Sequence, residues 1–193
     1  MWIEGPAVSS SGSVLSQAAI EAVNTIANAG TPCISVFCKS RYSFATRGLG
    51  HTDAAVISLY YSVIRQLARI VPPEFEGSPG LQKHCFERLD GSLESLGTAL
   101  AIIKALLKHA PPSIAWVIDG LQFAGGSQDG YAHIQDFIQV LRDQEQERTS
   151  RVCFTTDGRS QVLDRGITVR ERVDASRLVQ ARGGRAFPGA VYI

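Results

Sequence analysis

SIAWVIDG, residues 113–120, decides the fold of this chain: it is an unbroken apolar run that ends in a single acid, Asp119. A run of this kind is typical of a central strand in a parallel sheet, where helices cover both faces. Pro111 and Pro112 precede it and stop a helical pattern that begins near Ser92. A glycine-rich loop follows it and leads into another helical pattern. A strand between two helices is the basic unit of an α/β protein.

The same alternation of strands and helices extends along the chain in both directions. We predict strands at residues 1–5, 33–37, 113–119, 151–156 and 166–173, and helices at 14–30, at 53–70, from about 92 to 110, and around 134–141. Residues 71–91 are predicted to be loop. Strands that alternate with helices favour right-handed crossovers and parallel pairing. The sequence therefore predicts a three-layer αβα fold around a parallel five-stranded sheet.

Composition limits the classes of protein to which the chain can belong. It has 193 residues, of which 45% are hydrophobic and 19% charged, with a net charge of +1. These values fit one globular domain and do not indicate a nucleic-acid or anionic-membrane partner. The four cysteines and four histidines show no zinc-binding spacing. The N-terminus has no signal-peptide pattern, so we expect a soluble, cytoplasmic domain.

Charge is distributed unevenly along the chain. Residues 147–193 contain nine arginines, no lysine and five acids, a local balance of +4. At the other end, the first cationic side chain is Lys39. We divide the chain into a domain at residues 1–175 and an irregular, arginine-containing segment at 176–193. No aromatic interleaving or RNA-binding motif accompanies these arginines, so nucleic acid is not an expected partner.

The loops after three strands carry the candidate site, because ligands bind beyond the carboxyl ends of strands in such a sheet. A strand followed by a small-residue loop and a helix is the context in which backbone N–H groups bind phosphate. An acid at the end of a buried strand is a candidate magnesium ligand, and here it is Asp119. The candidate nucleotide-binding residues are Gly5, Ser11, Gly12, Ser13, Thr155 and Thr156.

Three segments together resemble a known family. WIEGPAVSSSGSVLS resembles the WIxGxPGSGKSTL opening of NACHT-type domains, in their fungal form, which belong to the STAND class of P-loop NTPases. IAWVIDGLQF is similar to their hhhhDGhDE segment, and VCFTTDG to their hhhTSRP segment. The segments come in the family's order and span residues 1 to about 175. The resemblance implies the strand order 5-1-4-3-2, nucleotide between the first and third strands, and an oligomerising role in a larger signalling protein.

The chain departs from the family where the chemistry would occur. The family's loop lysine, its acid pair and its arginine are replaced by Ser11, Gln122, Phe123 and Asp157 when Gly5 is aligned with the first glycine of the loop. A charged hydrogen bond contributes about 1.5–3 kcal/mol, so losing the lysine alone weakens nucleotide binding by roughly ten- to a hundredfold. The phosphate-binding motif (Walker A) is therefore degenerate.

The sequence thus predicts a catalytically silent NACHT/STAND-like module, a pseudoenzyme without catalytic residues or a resident cofactor. It would act as a scaffold for a protein partner or for flanking domains, with no membrane contact. One alternative is a P-loop NTPase that weakly binds or hydrolyses ATP or GTP with magnesium, through Asp119 and the backbone amides of residues 5–13. Another alternative is an unrelated α/β binding module whose partner docks on an exposed edge or on the arginine-rich end.

Overall fold

A computed structural model describes residues 1–7, 13–38, 50–74, 77–124 and 126–183, with side chains through residue 179. The described strands are β1 (Trp2–Gly5), β2 (Cys33–Phe37), β3 (Ala115–Asp119), β4 (Arg151–Asp157) and β5 (Arg172–Asp174). They form one sheet in the order β2-β3-β4-β1-β5, and every pairing is parallel. The predicted order 5-1-4-3-2 is the same order read from the other edge, so the three-layer α/β prediction is confirmed.

Helices cover both faces of the sheet. They are α1 (Val14–Asn28), α2 (His51–Ile70), α3 (Lys83–Glu87), α4 (Leu96–His109), α5 (Gln128–Glu147), α6 (Gln161–Gly166) and α7 (Ser176–Gly183). Helix α1 packs on one face, against β2, β3 and β4. Helices α2, α4 and α5 pack together over the opposite face, which holds the main hydrophobic core. Two environments therefore meet at the carboxyl edge of the sheet, one on each face.

Strand β3 is central because its side chains are buried on both faces. Trp116 and Ile118 lie in the main core, where the Trp116 ring meets the ring of Phe137 edge-on at a centroid distance of 6.4 Å. Val117 and Asp119 alternate with them and point towards α1, and each is 2% exposed. Each buried aliphatic or aromatic side chain contributes about 1.5–3 kcal/mol. This alternation puts the acid at the end of β3 on the face that α1 covers.

The structure differs from the sequence-based boundaries in several places. Helix α6 was not predicted, α4 starts at Leu96 and not near Ser92, and α5 is longer than the predicted 134–141. Residues 71–91, predicted to be loop, contain the short helix α3. The predicted fifth strand at 166–173 is shortened, because Thr168 and Glu171 form a capping box around a 3₁₀ turn and β5 starts only at Arg172. The C-terminal segment, predicted to be irregular, begins as helix α7, and residues 184–193 lie outside the described part.

At the β2 edge of the sheet, a glutamine side chain hydrogen-bonds to the outward-facing backbone groups of the strand. Strand β2 pairs only with β3, so the N–H and C=O of Ser35 point away from the sheet. The carboxamide of Gln66, on α2, accepts from the Ser35 N–H at 3.0 Å and donates to the Ser35 C=O at 2.8 Å. One glutamine therefore satisfies both outward backbone groups at the middle of this edge strand.

Among the helices of the described residues, none combines the length and apolar character needed to cross a membrane.

Candidate functional site

The candidate site lies on the α1 face of the carboxyl edge and is centred on Asp119. One oxygen of this carboxyl, Oδ2, accepts a hydrogen bond from Ser16 Oγ at 2.7 Å. The other, Oδ1, accepts one from Thr155 Oγ1, also at 2.7 Å. The three side chains are all buried, with exposed fractions of 2–3%. The structure therefore brings Asp119 and Thr155, both candidates from the sequence, into one buried network.

Helix α1 begins at this network, and a second acid lies at its first turn. Ser13 is the N-cap residue, and its hydroxyl oxygen accepts a hydrogen bond from the Ser16 N–H at 3.1 Å. The same hydroxyl donates to Oδ1 of Asp157, at the end of β4. The N-terminus of a helix carries partial positive charge and favours an anion. The protein thus places an acidic side chain of its own at the N-terminus of α1.

Thr156 belongs to the other face of the sheet, although it is next to Thr155 in the chain. Its hydroxyl accepts a hydrogen bond from the indole N–H of Trp2 at 2.8 Å and donates to the carbonyl of Gly158 at 2.8 Å. Neighbouring residues of a strand point to opposite faces. Of the two threonine candidates, only Thr155 contacts Asp119.

Gly5 lies directly under the first turn of α1. A Cβ built at this position would come within 2.7 Å of Leu15 Cδ1, so a larger residue here would push the Leu15 side chain aside. Leu15 itself is 6% exposed. The candidates Ser11 and Gly12 lie outside the described residues. The end of β1 and the first turn of α1 are therefore in apolar contact through Gly5 and Leu15.

Sequence reasoning missed Ser16, which completes the network. The available signal was its position three residues after the cap residue Ser13 in the first turn of a helix. Residues three apart lie on one helix face, so a hydroxyl there meets the neighbouring strand end.

The thiol of Cys38, in the main core just beyond β2, is held in its protonated form. Burial, followed by the charge of Asp119, raises the pKa of this thiol to about 12. The backbone N–H of Cys38 donates to the carbonyl of Asp119 at 2.7 Å, which fixes the two strand ends together. Because the thiolate is the reactive form, this cysteine is unsuited to act as a nucleophile.

Two arginines, one after β4 and one at the start of β5, pair with acids. Arg172 pairs with Glu4 at 2.6 Å, and its guanidinium lies 4.7 Å from the centre of the Trp2 ring. Arg159 pairs with Asp164. Lys39 and Arg41, from which the weak-NTPase alternative could draw a replacement for the missing loop lysine, lie outside the described residues.

Magnesium would find one carboxylate and two hydroxyls here. Magnesium favours octahedral oxygen coordination and is usually held by one or two carboxylates, several waters and substrate phosphates. Among the described residues, no group of three or more His, Cys, Asp and Glu side chains is placed to hold a metal. The hydroxyls of Ser16 and Thr155 already donate to Asp119. The assignment of Asp119 as a magnesium ligand stays a prediction.

The two residues at the family's acid-pair positions lie in a 3₁₀ turn after β3. Gly120 allows this turn with a left-handed backbone, φ of +83°. Phe123 is 38% exposed. Gln122 points to the side of α2 and α5, away from Asp119, and lines a cavity there. Neither residue joins the buried network.

Comparison of the chain with models of known protein families and with curated proteins finds no match.

Proposed function

We propose that this chain is a catalytically silent module with a P-loop-like fold, which acts as a scaffold or interaction domain. The observation that carries the proposal is the contact between Ser16 and Asp119, because it supports a register in which leucine stands at the position of the missing lysine.

In P-loop NTPases, the Ser or Thr that follows the loop lysine shares a magnesium ion with the acid at the end of a strand. Ser16 is the residue of the first turn of α1 whose hydroxyl contacts such an acid, Asp119. The residue before Ser16 is Leu15, so this register puts leucine, and not Ser11, at the lysine position. Leu15 is buried against Gly5 and offers a phosphate no charge.

The position of Asp157 adds to the argument. Its carboxylate accepts a hydrogen bond from the cap residue of α1, at the end of the helix that would face a phosphate. A carboxylate beside this helix end disfavours a bound phosphate there, because the two negative charges repel each other. Leucine in place of lysine, together with an acid at the helix N-terminus, disfavours nucleotide binding. Both observations support the proposal that the fold is retained for its shape.

The resemblance to NACHT-type domains suggests the setting of such a module. We propose a cytoplasmic location, in keeping with four cysteines that are all free, and a partner that is a protein or a flanking domain of a larger signalling protein.

Calorimetry with ATP and GTP, with and without magnesium, tests the proposal. We expect no binding by the unaltered chain at ligand concentrations up to about 1 mM. The variant Leu15→Lys/Asp157→Asn restores a cation and removes the competing acid, and we expect it to bind ATP at least about tenfold more tightly than the unaltered chain. Ser11→Lys/Asp157→Asn is the matched control, because it uses the other register.

Far-UV circular dichroism establishes that each variant folds. Micromolar, magnesium-dependent binding or single-turnover hydrolysis by the unaltered chain would overturn the proposal in favour of the weak NTPase. That rival has the buried pair of Ser16 and Asp119 in its favour. A gain with the Ser11 variant alone would show that the register is wrong.

A further inference from the structure

The two edges of the described sheet differ in whether a side chain bonds their outward backbone groups. At the β2 edge, Gln66 bonds both the N–H and the C=O of Ser35. At the other edge, β5 pairs with β1 alone within the described sheet. A strand at an open edge presents N–H and C=O groups with which an extended segment can pair.

The pairing of β5 with β1 determines which of its backbone groups face outwards. The N–H of Ala175 donates to the C=O of Glu4, on β1, at 2.7 Å. Alternate residues of a strand direct their backbone groups to the same side, so Val173 also faces β1. The backbone groups of Arg172 and Asp174 therefore face out of the sheet. The N–H of Arg172 is bonded within the preceding 3₁₀ turn, which leaves its C=O and both groups of Asp174 for a partner.

Exposed apolar side chains flank this edge along the chain. Val173 lies in β5 itself and is 45% exposed. Val169, in the turn before the strand, is 87% exposed, and Leu178, in α7, is 69% exposed. The last two have the largest exposed fractions among the large apolar side chains of the described residues. Apolar surface concentrated at one place is typical of an interaction site, whereas single exposed residues are not.

Two exposed arginines give the same edge a positive charge. Arg170 and Arg177 flank β5, and neither forms an ion pair with another described residue. The acids of this region are already engaged. The carboxylate of Asp174 accepts a hydrogen bond from the first N–H of α7 at 2.9 Å, and that of Glu171 pairs with Arg142. Acidic side chains of a partner would therefore meet positive charges that the described chain leaves unpaired.

We propose that the β5 edge binds an extended, acidic segment of a partner protein, which adds to the sheet next to β5. The backbone of this segment pairs with Arg172 and Asp174, its apolar side chains cover Val173, and its acids meet the two arginines. A second copy of the chain would bring like charges together at this edge. Residues 184–193, GRAFPGAVYI, contain an arginine and no acid, so they lack the complementary charge. The inference rests on the interaction role proposed above and gives that role a surface.

Synthetic peptides test the three parts of the proposal separately. The probe acetyl-EVEVEVE-amide carries acids, apolar side chains and free backbone N–H groups. Three matched peptides each change one feature: KVKVKVK reverses the charge, ESESESE removes the apolar side chains, and N-methylation of the central residues of the probe removes N–H donors. Fluorescence anisotropy of labelled peptides, titrated with the full chain at low salt, measures binding. We expect the probe to bind with a Kd of about 10–100 μM and each matched peptide to bind at least about tenfold more weakly.

Charge-reversal variants connect the binding to β5. Arg170→Glu/Arg177→Glu should weaken binding of the acidic probe by at least about tenfold and strengthen binding of the lysine peptide. Arg65→Glu/Arg69→Glu is the matched control, because it makes the same change of charge at exposed positions of α2. This control should change the affinity for the probe by less than about threefold. Far-UV circular dichroism establishes that both variants fold.

Any of four results would overturn the proposal. The first is no binding of the acidic probe at protein concentrations up to about 1 mM. The second is equal binding of the probe and any of the three matched peptides. The third is unchanged probe binding in the Arg170/Arg177 variant, and the fourth is a dimer of the full chain that the probe dissociates, which would assign the edge to a second copy. Nucleotide titrations at α1 do not involve β5, so this proposal and the silent-site proposal fail separately.

Discussion

Two groups of buried polar side chains at the carboxyl edge, one on each face, differ in how they are paired. On the α1 face, Asp119 accepts hydrogen bonds on both oxygens, from Ser16 and Thr155, and the network is closed. On the other face, Gln122 and Ser160 have buried polar atoms without partners around a cavity. The site that the sequence motifs indicate is thus saturated by the protein itself. The cavity on the opposite face, which no sequence motif indicates, is lined by residues with unused hydrogen-bonding capacity.

This difference bears on the proposal that the α1 face carries a silent nucleotide site. Under that proposal, loss of charged residues would reduce affinity for a ligand, but the remaining polar groups must still find partners in the folded chain. Here a hydroxyl and a carboxylate pair with each other, and a second acid occupies the helix N-terminus. Saturation of this kind stabilises the fold in the absence of a ligand.

Breaking the closed network should give the largest effect. We expect Asp119→Ala to lower the free energy of unfolding by about 3–5 kcal/mol, because it removes two hydrogen bonds to a buried carboxyl and leaves two hydroxyls unpaired. Asp119→Asn retains the shape and one acceptor and should cost about half as much. Urea denaturation measures both. A loss below about 1 kcal/mol for the alanine variant would contradict a closed network.

A pair of serine-to-alanine changes compares the two faces directly. Ser16→Ala should cost about 2 kcal/mol, since it deprives Asp119 of a donor in a buried site. Ser160→Ala removes a hydroxyl without a partner and should change stability by less than about 0.5 kcal/mol, or raise it. The same urea experiment reports both values. Equal losses would mean that the faces do not differ in this respect.

The acid at the start of α1 should have a smaller effect, and one that depends on salt. We expect Asp157→Asn to lower stability by about 0.5–1 kcal/mol at low ionic strength, because it removes a favourable charge at a helix N-terminus. Thermal unfolding at low salt and near 1 M salt should show this difference shrinking. A difference independent of salt would assign the effect to the hydrogen bond with Ser13 instead of the charge.

A third region, away from both faces of the edge, provides the smallest expected effect. The hydroxyl and N–H of Thr168, followed by the guanidinium of Arg142, lower the pKa of Glu171 from 4.5 to about 2. A lowered pKa in the folded state stabilises the protein above pH 4.5, and this contribution is lost as the pH falls towards 2.

Glu171→Gln removes this dependence of stability on pH. Above pH 4.5 the two proteins should differ in stability by a constant amount, which serves as the reference. The half-exposed position keeps the effect below about 1 kcal/mol. Unfolding curves for both proteins between pH 5 and pH 2.5, compared as a difference, check it. Parallel curves across this range would contradict the lowered pKa.

Most of the fold could be predicted from the sequence, because its signals are local. The continuous apolar run of β3 and the helical spacing of α1, with its terminal Gly30 at a φ of +70°, determine element type without knowledge of the partners. The fifth strand was harder to predict, since Thr168 and Glu171 form a capping box that replaces the start of the strand. That interaction competes with β-propensity and has no periodic signal.

The candidate site could be predicted only in part. Asp119 and Thr155 come together because both end parallel strands of known order. Ser16 was missed although the start of α1 was predicted correctly, because the side of the first turn that faces the strand ends depends on how the helix packs on the sheet. The cavity at Gln122 depends on how the turn after β3, the residues after β4 and the first turns of α2 and α5 pack together. No pattern in one sequence reports a volume that side chains leave unfilled.

The carboxamide of Gln66 has a consequence for assembly of the chain with other strands. An edge strand recruits extra strands through its outward backbone groups, either from a peptide ligand or from an aggregating neighbour. At β2 the central pair of these groups, on Ser35, is already bonded within the chain. An incoming strand would first have to displace Gln66. We therefore expect Gln66→Ala to favour self-association, visible as larger species in light scattering, and the unaltered edge to resist growth of the sheet.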